Sequence, residues 1–141
     1  MMLVPKEQIL NYIPQRAPFV MVDNVINSSA DAIETDFHIM PNNLFLDNDV
    51  FNEYGLIEHI LQSSAAGLAV ANRFGANKPV NGFVGAISKL KIEMLPRTND
   101  TLQTYITLLA RLGDWYLASG ATFVDDQELI VCEIKIVGPG V

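Results

Sequence analysis

Three polar side chains stand close together in an otherwise apolar stretch, and their types could support acid and base chemistry. Glu58, His59 and Gln62 lie within "GLIEHILQSSAAG", where most neighbours are Leu, Ile, Ala or Gly. A carboxyl group among apolar side chains suits general acid catalysis, because burial disfavours its charged form. Gln62 lies four residues after Glu58, so on a helix it would share that face and either orient or satisfy the carboxyl group.

Two further residues are candidates for the second catalytic group. His59 is one residue from Glu58, which on a helix turns its side chain about 100° away. It would reach a group across a subunit interface, or it would be a packed, hydrogen-bonded histidine. Asp49 precedes the helix in a turn-rich stretch, where it would either share acid and base work with Glu58 or act as an ordinary turn residue.

A helix must position these side chains, and the sequence predicts one from Glu53 to Phe74. Asn52 is the expected N-cap and Gly75 the expected stop. Between Leu56 and Ala71, apart from these three polar residues and two serines, the side chains are apolar around the whole helix. A helix of that kind is buried.

Alternating runs surround the helix on both sides in the sequence. "FVMVDNVI" and "AIETDFHIM" precede it, and "GFVGAISKLKIEML", "LQTYITLLARL", "WYLASGATFVDD" and "ELIVCEIKIV" follow it. The separating "PRTND", "GD" and "DDQ" are turn signals, typical of antiparallel hairpins. The order predicts an α+β fold in which an antiparallel sheet wraps around one long central helix.

Length, charge and cysteine content restrict the classes of function. The 141 residues fit a single domain, residues 1–141, that buries roughly 70% of its unfolded surface. A net charge of −7 argues against nucleic acid and membrane surfaces as partners. No apolar run approaches a membrane span of roughly 18 residues and no signal peptide is recognisable, so we expect a cytoplasmic protein. One cysteine, Cys132, and no Cys/His cluster predict neither a disulfide nor a metal site, and we expect no cofactor.

Three blocks resemble the hotdog-fold 3-hydroxyacyl-acyl-carrier-protein dehydratases. "QILNYIPQRAPFVMVDNVI" is similar to the family's opening Leu-Pro-His-Arg-x-Pro-Phe-Leu-Leu-Val-Asp-Arg-Val. "GLIEHILQSSAAG" is similar to its helix signature, Glu-Ala-x-Ala-Gln-x-Ala-Gly, and "WYLASGATFVDDQELIVCEIKIV" to its last hairpin. The resemblance spans almost the whole chain and implies a hotdog fold assembled at least as a homodimer.

The resemblance also implies roles for individual residues. In the family, a histidine from one protomer and the helix carboxylate of the other act on the thioester, while amide N–H groups near the helix start bind its carbonyl. Glu58 matches the carboxylate. The family's His-Phe-Pro-Gly loop is replaced by "DNDVFN", which puts Asp49 or Asn48 at the histidine position. An acyl tunnel at the subunit interface is expected, with Gln62 close to it and with the loop residues Leu44, Phe45, Leu46 and Phe51 as its lining.

The expected partners are acyl carrier protein or CoA thioesters. Lys89 and Lys91 alternate with apolar residues, so both should project from one face of a strand. Together with Arg97 and Arg16 they would form a basic patch to steer an acidic carrier protein, or else an ordinary solvated face.

Three functions stay open at this point. The first is a dehydratase of fatty-acid, polyene or polyketide type metabolism, with Glu58 as acid and Asp49 or His59 as second group. The second is a non-catalytic thioester-binding or partner subunit of an active dehydratase. The third is a thioesterase in which one helix carboxylate activates water.

Overall fold

The computed structural model describes residues 2–71, 84–113 and 115–137. A short 3₁₀ helix, Lys6–Asn11, precedes the main elements. These are β1 Asn24–Ser28, β2 Ala32–His38, β3 Leu46–Asp47, β4 Val50–Phe51, α1 Glu53–Val70, β5 Val84–Ile92, β6 Thr101–Leu112, β7 Trp115–Val124 and β8 Gln127–Val137.

The central helix α1 begins as the sequence predicts. The Asn52 side chain accepts a hydrogen bond from the Gly55 N–H at 3.0 Å, so the predicted N-cap is confirmed. The helix has 18 residues, which at 1.5 Å per residue makes it about 27 Å long. Phe74 and Gly75, where the end was predicted, lie outside the described residues. No helix in the described ranges is long and apolar enough to cross a membrane.

Six of the strands form one antiparallel sheet in the order β1-β2-β6-β7-β8-β5. The helix packs against β1, β2 and β6, and the main apolar core lies between helix and sheet. The alternation predicted for β2 is confirmed: Ile33, Thr35 and Phe37 are buried, while the residues between them are partly exposed. The antiparallel sheet around one central helix is the predicted α+β architecture.

The run Phe19–Asp23 departs from the predicted strand. The strand β1 starts only at Asn24, because the N–H and C=O of Met21 are bound by side chains of α1 and not by a neighbouring strand. This segment therefore lies along the helix, close to Glu58.

The regular alternation from which one face was predicted for Lys89 and Lys91 is interrupted in β5. A β-bulge lies between Ser88 and Lys91, and Lys89 has a φ of 52°. A bulge inserts an unpaired residue and breaks the alternation of side chains, so the two lysines do not follow a regular two-residue repeat.

Candidate functional site

Glu58 occupies the second turn of α1 and is half-buried. Its Oε1 accepts a hydrogen bond of 2.8 Å from Nε2 of Gln62, one turn further along the helix. No other hydrogen bond to its carboxylate is found among the described residues. Glu58 thus keeps acceptor capacity for a ligand while one of its oxygens is held in place.

Gln62 connects the helix to the segment that precedes β1. Its side chain is 1% exposed, and its Oε1 accepts from the Met21 N–H at 2.6 Å. Its Nε2 donates to the Phe19 carbonyl at 2.8 Å as well as to Glu58. These bonds are compatible with both predicted roles of Gln62, to orient the Glu58 carboxyl group or simply to satisfy it, since the amide that binds Glu58 is itself fixed by the backbone.

His59 points away from this face into the core and is fully buried. Its Nδ1 donates to the Met21 carbonyl at 2.6 Å, so its Nε2 accepts from the Thr104 hydroxyl, also at 2.6 Å. Burial lowers the pKa of His59 to about 4. A packed, hydrogen-bonded, neutral imidazole was one of the two alternatives for His59, and the structure has that arrangement. A catalytic role for His59 stays a prediction.

Asp49 lies in the tight turn between β3 and β4, on the surface. Its carboxylate is 3.4 Å from Nη1 of Arg97, and its carbonyl accepts from the Thr98 N–H at 3.1 Å. The next residue, Val50, forms a bridge with Arg97, so this hairpin is fastened to the segment after β5. Within one chain no described hydrogen bond joins Asp49 to Glu58, and its catalytic role also stays a prediction.

The start of α1 is partly occupied by its own cap. The Gly55 N–H is bound by Asn52, and the aromatic ring of Phe51 lies directly over Gly55. An added Cβ at Gly55 would fall within 2.8 Å of ring atoms of Phe51. The amide N–H of Gly55 is therefore not available to a thioester carbonyl in this conformation.

The predicted tunnel lining is divided between core and surface. Phe51 is fully buried and contacts the rings of Phe37 and Phe45, whereas Leu44 is 43% exposed and Phe45 and Leu46 are partly buried. Cavities of about 340 Å³ and 380 Å³ are lined by other residues. A tunnel along this loop stays a prediction.

The four predicted docking cations are mostly engaged within the chain. Lys89 lies 3.3 Å from Glu133 and Lys91 lies 2.9 Å from Glu93. Arg97 pairs with Asp49, and Arg16 donates to the carbonyls of Ile13 and Gln15. Intramolecular carboxylates thus neutralise part of the predicted patch, and its role in binding a partner stays a prediction.

Sequence reasoning missed Met21 and Thr104, which complete the surroundings of His59. Thr104 lies between Leu102 and Ile106 on the buried face of β6, and its hydroxyl is 2.6 Å from that of Thr122. A threonine on an otherwise apolar strand face was the available signal, because a buried hydroxyl needs a partner. Among the described residues, no three His, Cys, Asp or Glu side chains are grouped closely enough to hold a metal ion.

The comparisons with known proteins agree with this architecture. A sequence profile described as ApeP-like, ApeP dehydratase, matches residues 7–139. The chain belongs to the ApeP-like dehydratase family. No curated protein matches the sequence. The resemblance to hotdog dehydratases is therefore confirmed at the level of family.

Solved structures place the ApeP-like chain in the hotdog fold. The dehydratase heterocomplex ApeI:P from Xenorhabdus doucetiae matches with a TM-score of 0.79 at 15% identity, over 94% of this chain and 91% of that chain. A hypothetical thioesterase with coenzyme A from Streptococcus pneumoniae matches at 0.67 and 8% identity, over 82% and 84%. The PaaI protein of E. coli, from the phenylacetic acid degradation operon, matches at 0.65 and 7% identity, over 80% of each chain.

Proposed function

We propose that this chain is the acid-bearing subunit of a heteromeric 3-hydroxyacyl-thioester dehydratase. Glu58 supplies the acid, and a histidine of a second hotdog chain supplies the base. The observation that carries the proposal is that this chain retains the acid of the family's site but has no histidine in the loop that should supply the base. Glu58 is held by Gln62 and remains partly exposed, while the hairpin that replaces the family's histidine loop carries Asp49, paired with Arg97.

The chain's own histidines do not supply the missing base. It has two, and each ring is bound to a threonine hydroxyl: His59 to Thr104, and His38 to Thr101 at 2.9 Å. His59 is neutral, fully buried and on another helix face than Glu58. A dimer of two such chains would oppose Glu58 with Asp49, whereas a partner with the family's histidine loop would complete the site.

The reaction assigns one step to each group. The partner's histidine takes the α-proton of the 3-hydroxyacyl thioester, and the electron pair of that C–H bond forms the new double bond. The C–O bond at the third carbon breaks, and the Glu58 carboxyl group protonates the departing hydroxyl, which leaves as water. Gln62 holds Glu58 by donating to its Oε1.

The surface around Glu58 suits burial against another chain. Tyr54 is 66% exposed and Phe19 is 54% exposed, and both are large apolar residues near this face of α1. Ile57 and Leu61, on the same side of the helix, are only partly buried. An apolar surface around a polar group is typical of the centre of an interface. The heterocomplex described for the Xenorhabdus doucetiae protein supports a hetero-partner in preference to a second copy.

The substrate class and the location are part of the proposal. We propose an acyl thioester carried by an acyl carrier protein or by CoA as the substrate.

The single cysteine, Cys132, is a buried free thiol with a pKa raised by burial to about 11, so it is not a nucleophile. A free thiol suits the reducing cytoplasm, where we propose that the protein acts.

The experiment compares the chain alone with the chain purified together with a histidine-bearing hotdog dehydratase of its host. Hydration of a short enoyl-pantetheine thioester is followed by loss of its ultraviolet absorbance, and free thiol is assayed in parallel. We expect turnover by the complex, none by the chain alone, and loss in the complex with Glu58→Gln. Turnover by the chain alone would instead indicate a homomeric dehydratase, and thiol release a thioesterase.

A further inference from the structure

Two side chains of α1 hold the peptide groups of Met21 from either side. Nδ1 of His59 donates to the Met21 carbonyl, and Oε1 of Gln62 accepts from the Met21 N–H, each at 2.6 Å. His59 and Gln62 are three residues apart, so they lie on neighbouring positions of one helix surface. Met21 itself is fully buried.

We propose that His59 is a positioning residue for Glu58, acting through Met21 and Gln62. The proposal rests on the acid role of Glu58 given above. The family signature quoted earlier has alanine after the helix carboxylate, where this chain has His59, so the feature belongs to this chain's own residues.

The Gln62 amide has one orientation that satisfies all of its contacts. Its NH₂ group donates to the Phe19 carbonyl and to Glu58, and its oxygen accepts from Met21. A flipped amide would set oxygen against oxygen at Phe19 and Glu58, and N–H against N–H at Met21. The segment 19–21 therefore decides that Glu58 receives an N–H donor.

His59 in turn fixes that segment. Its Nδ1 carries the proton, because the Met21 carbonyl can only accept, and its Nε2 accepts from Thr104. Thr104 then accepts from Thr122, so the ring is held on both sides in a single tautomer. Because Met21 lies outside the regular strands, these side-chain bonds take the place of strand-to-strand hydrogen bonds at that residue, whereas the Asp23 N–H donates to the Asp36 carbonyl of β2.

Loss of the His59 bonds should act on turnover more than on substrate binding. If the backbone at Met21 turns, its N–H no longer reaches Oε1 of Gln62. The Gln62 amide is then no longer fixed in one orientation, and the Glu58 carboxylate becomes free to rotate. A misplacement of about 1 Å at a reacting group can lower the rate about 100-fold. Tyr54, Ile57 and Leu61 of the proposed partner surface lie on α1 itself and keep their places, so we expect KM to change less than kcat.

The kinetic test uses the complex with the histidine-bearing partner. His59→Phe keeps a ring but removes both hydrogen bonds, and we expect kcat to fall about 10- to 100-fold with KM changed less than about threefold. His59→Asn keeps an N–H donor near the Nδ1 position and should recover most of the loss. Ser63→Ala is the matched control: it removes another buried bond of α1, to Thr35 at 2.7 Å, and should leave kcat unchanged.

A second measurement uses the isolated chain and does not need activity. In ¹⁵N NMR, wild-type His59 should show a protonated Nδ1 and an unprotonated Nε2 at pH 7, and the Gln62 side-chain amide should resist exchange. In His59→Phe we expect the Gln62 side-chain amide signals to shift and the amide protons to exchange faster. If His59→Phe does not fold, Thr104→Val is measured in its place, with the same expected result. Unchanged Gln62 signals, or the opposite tautomer, would overturn the positioning role, even if the complex proves inactive for other reasons.

Discussion

Nε2 of Gln62 lies 2.8 Å from Oε1 of Glu58, and the same nitrogen lies 2.8 Å from the Phe19 carbonyl oxygen. One amide group thus connects the candidate acid to the backbone of a segment some forty residues earlier in the chain. The position of Glu58 depends on tertiary structure, and not on the helix alone.

Replacing Gln62 by methionine should reduce both stability and activity. The change leaves the buried Met21 N–H without its acceptor, which typically costs about 1–3 kcal/mol in the free energy of unfolding. Urea denaturation at pH 7 measures that loss. Gln127→Met, at an exposed position, should stay within about 0.5 kcal/mol of wild type. Equal effects of the two changes would contradict a structural link through Gln62.

His59 should make stability fall as the solution is acidified. Its folded-state pKa, about 4, lies below the ordinary value of 6.5, so between these pH values the unfolded chain binds a proton that the folded chain does not. The contribution of neutral His59 to the free energy of unfolding is therefore fully present above pH 6.5. It is lost as the pH falls towards 4, by about 3 kcal/mol in total.

Denaturant unfolding from pH 7 to pH 4 checks this contribution. Subtracting the profile of His59→Asn from that of wild type removes the effect of every other titrating group. His38→Asn is the control and should keep the His59 contribution. A wild-type profile parallel to that of His59→Asn would show that His59 is not buried in neutral form.

Asp49→Asn should have little effect on either stability or turnover. Asp49 and Arg97 are 62% and 64% exposed, and such surface ion pairs contribute about 0–1 kcal/mol. Kinetics of the complex with its histidine-bearing partner provide the measurement. A loss of turnover of 100-fold or more would instead make Asp49 a catalytic group, the alternative left open by the sequence.

Gly55→Ala should destabilise the protein, although alanine favours helices by about 1 kcal/mol over glycine. The new methyl group would meet the ring of Phe51, and forcing extra volume into a packed site costs about 1–3 kcal/mol. The double variant with Phe51→Leu should recover part of the loss. A stabilising Gly55→Ala would show that the ring does not rest on the helix start.

Local features of the fold could be predicted from the sequence because their causes are local. Asn52 is a cap by residue type and position, and the alternation of β2 from Ile33 to Phe37 follows from a strand with one buried face. The hotdog architecture came from the resemblance. Phe19–Asp23 was predicted to be a strand because its composition is that of one, but the N–H and C=O of Met21 at its centre bind side chains of a distant helix.

The candidate site was predictable only in part. The four-residue spacing of Glu58 and Gln62 predicted that their side chains would meet on one helix face. The rotation of about 100° per residue predicted that His59 would point away from Glu58. The contacts of His59 with Met21 and Thr104 span 38 and 45 residues, and no local pattern specifies them. The bulge at Lys89 likewise depends on pairing with β8, which the alternating sequence conceals.

The most direct test of the account is turnover by a complex in which the partner's own helix carboxylate has been replaced by an amide. If Glu58 is the acid that works with the partner's histidine, this complex should still hydrate the enoyl thioester. Adding Glu58→Gln should then abolish hydration, by 100-fold or more. The opposite result would contradict this role of Glu58: replacing the partner's carboxylate alone abolishes hydration, and Glu58→Gln alone leaves it unchanged.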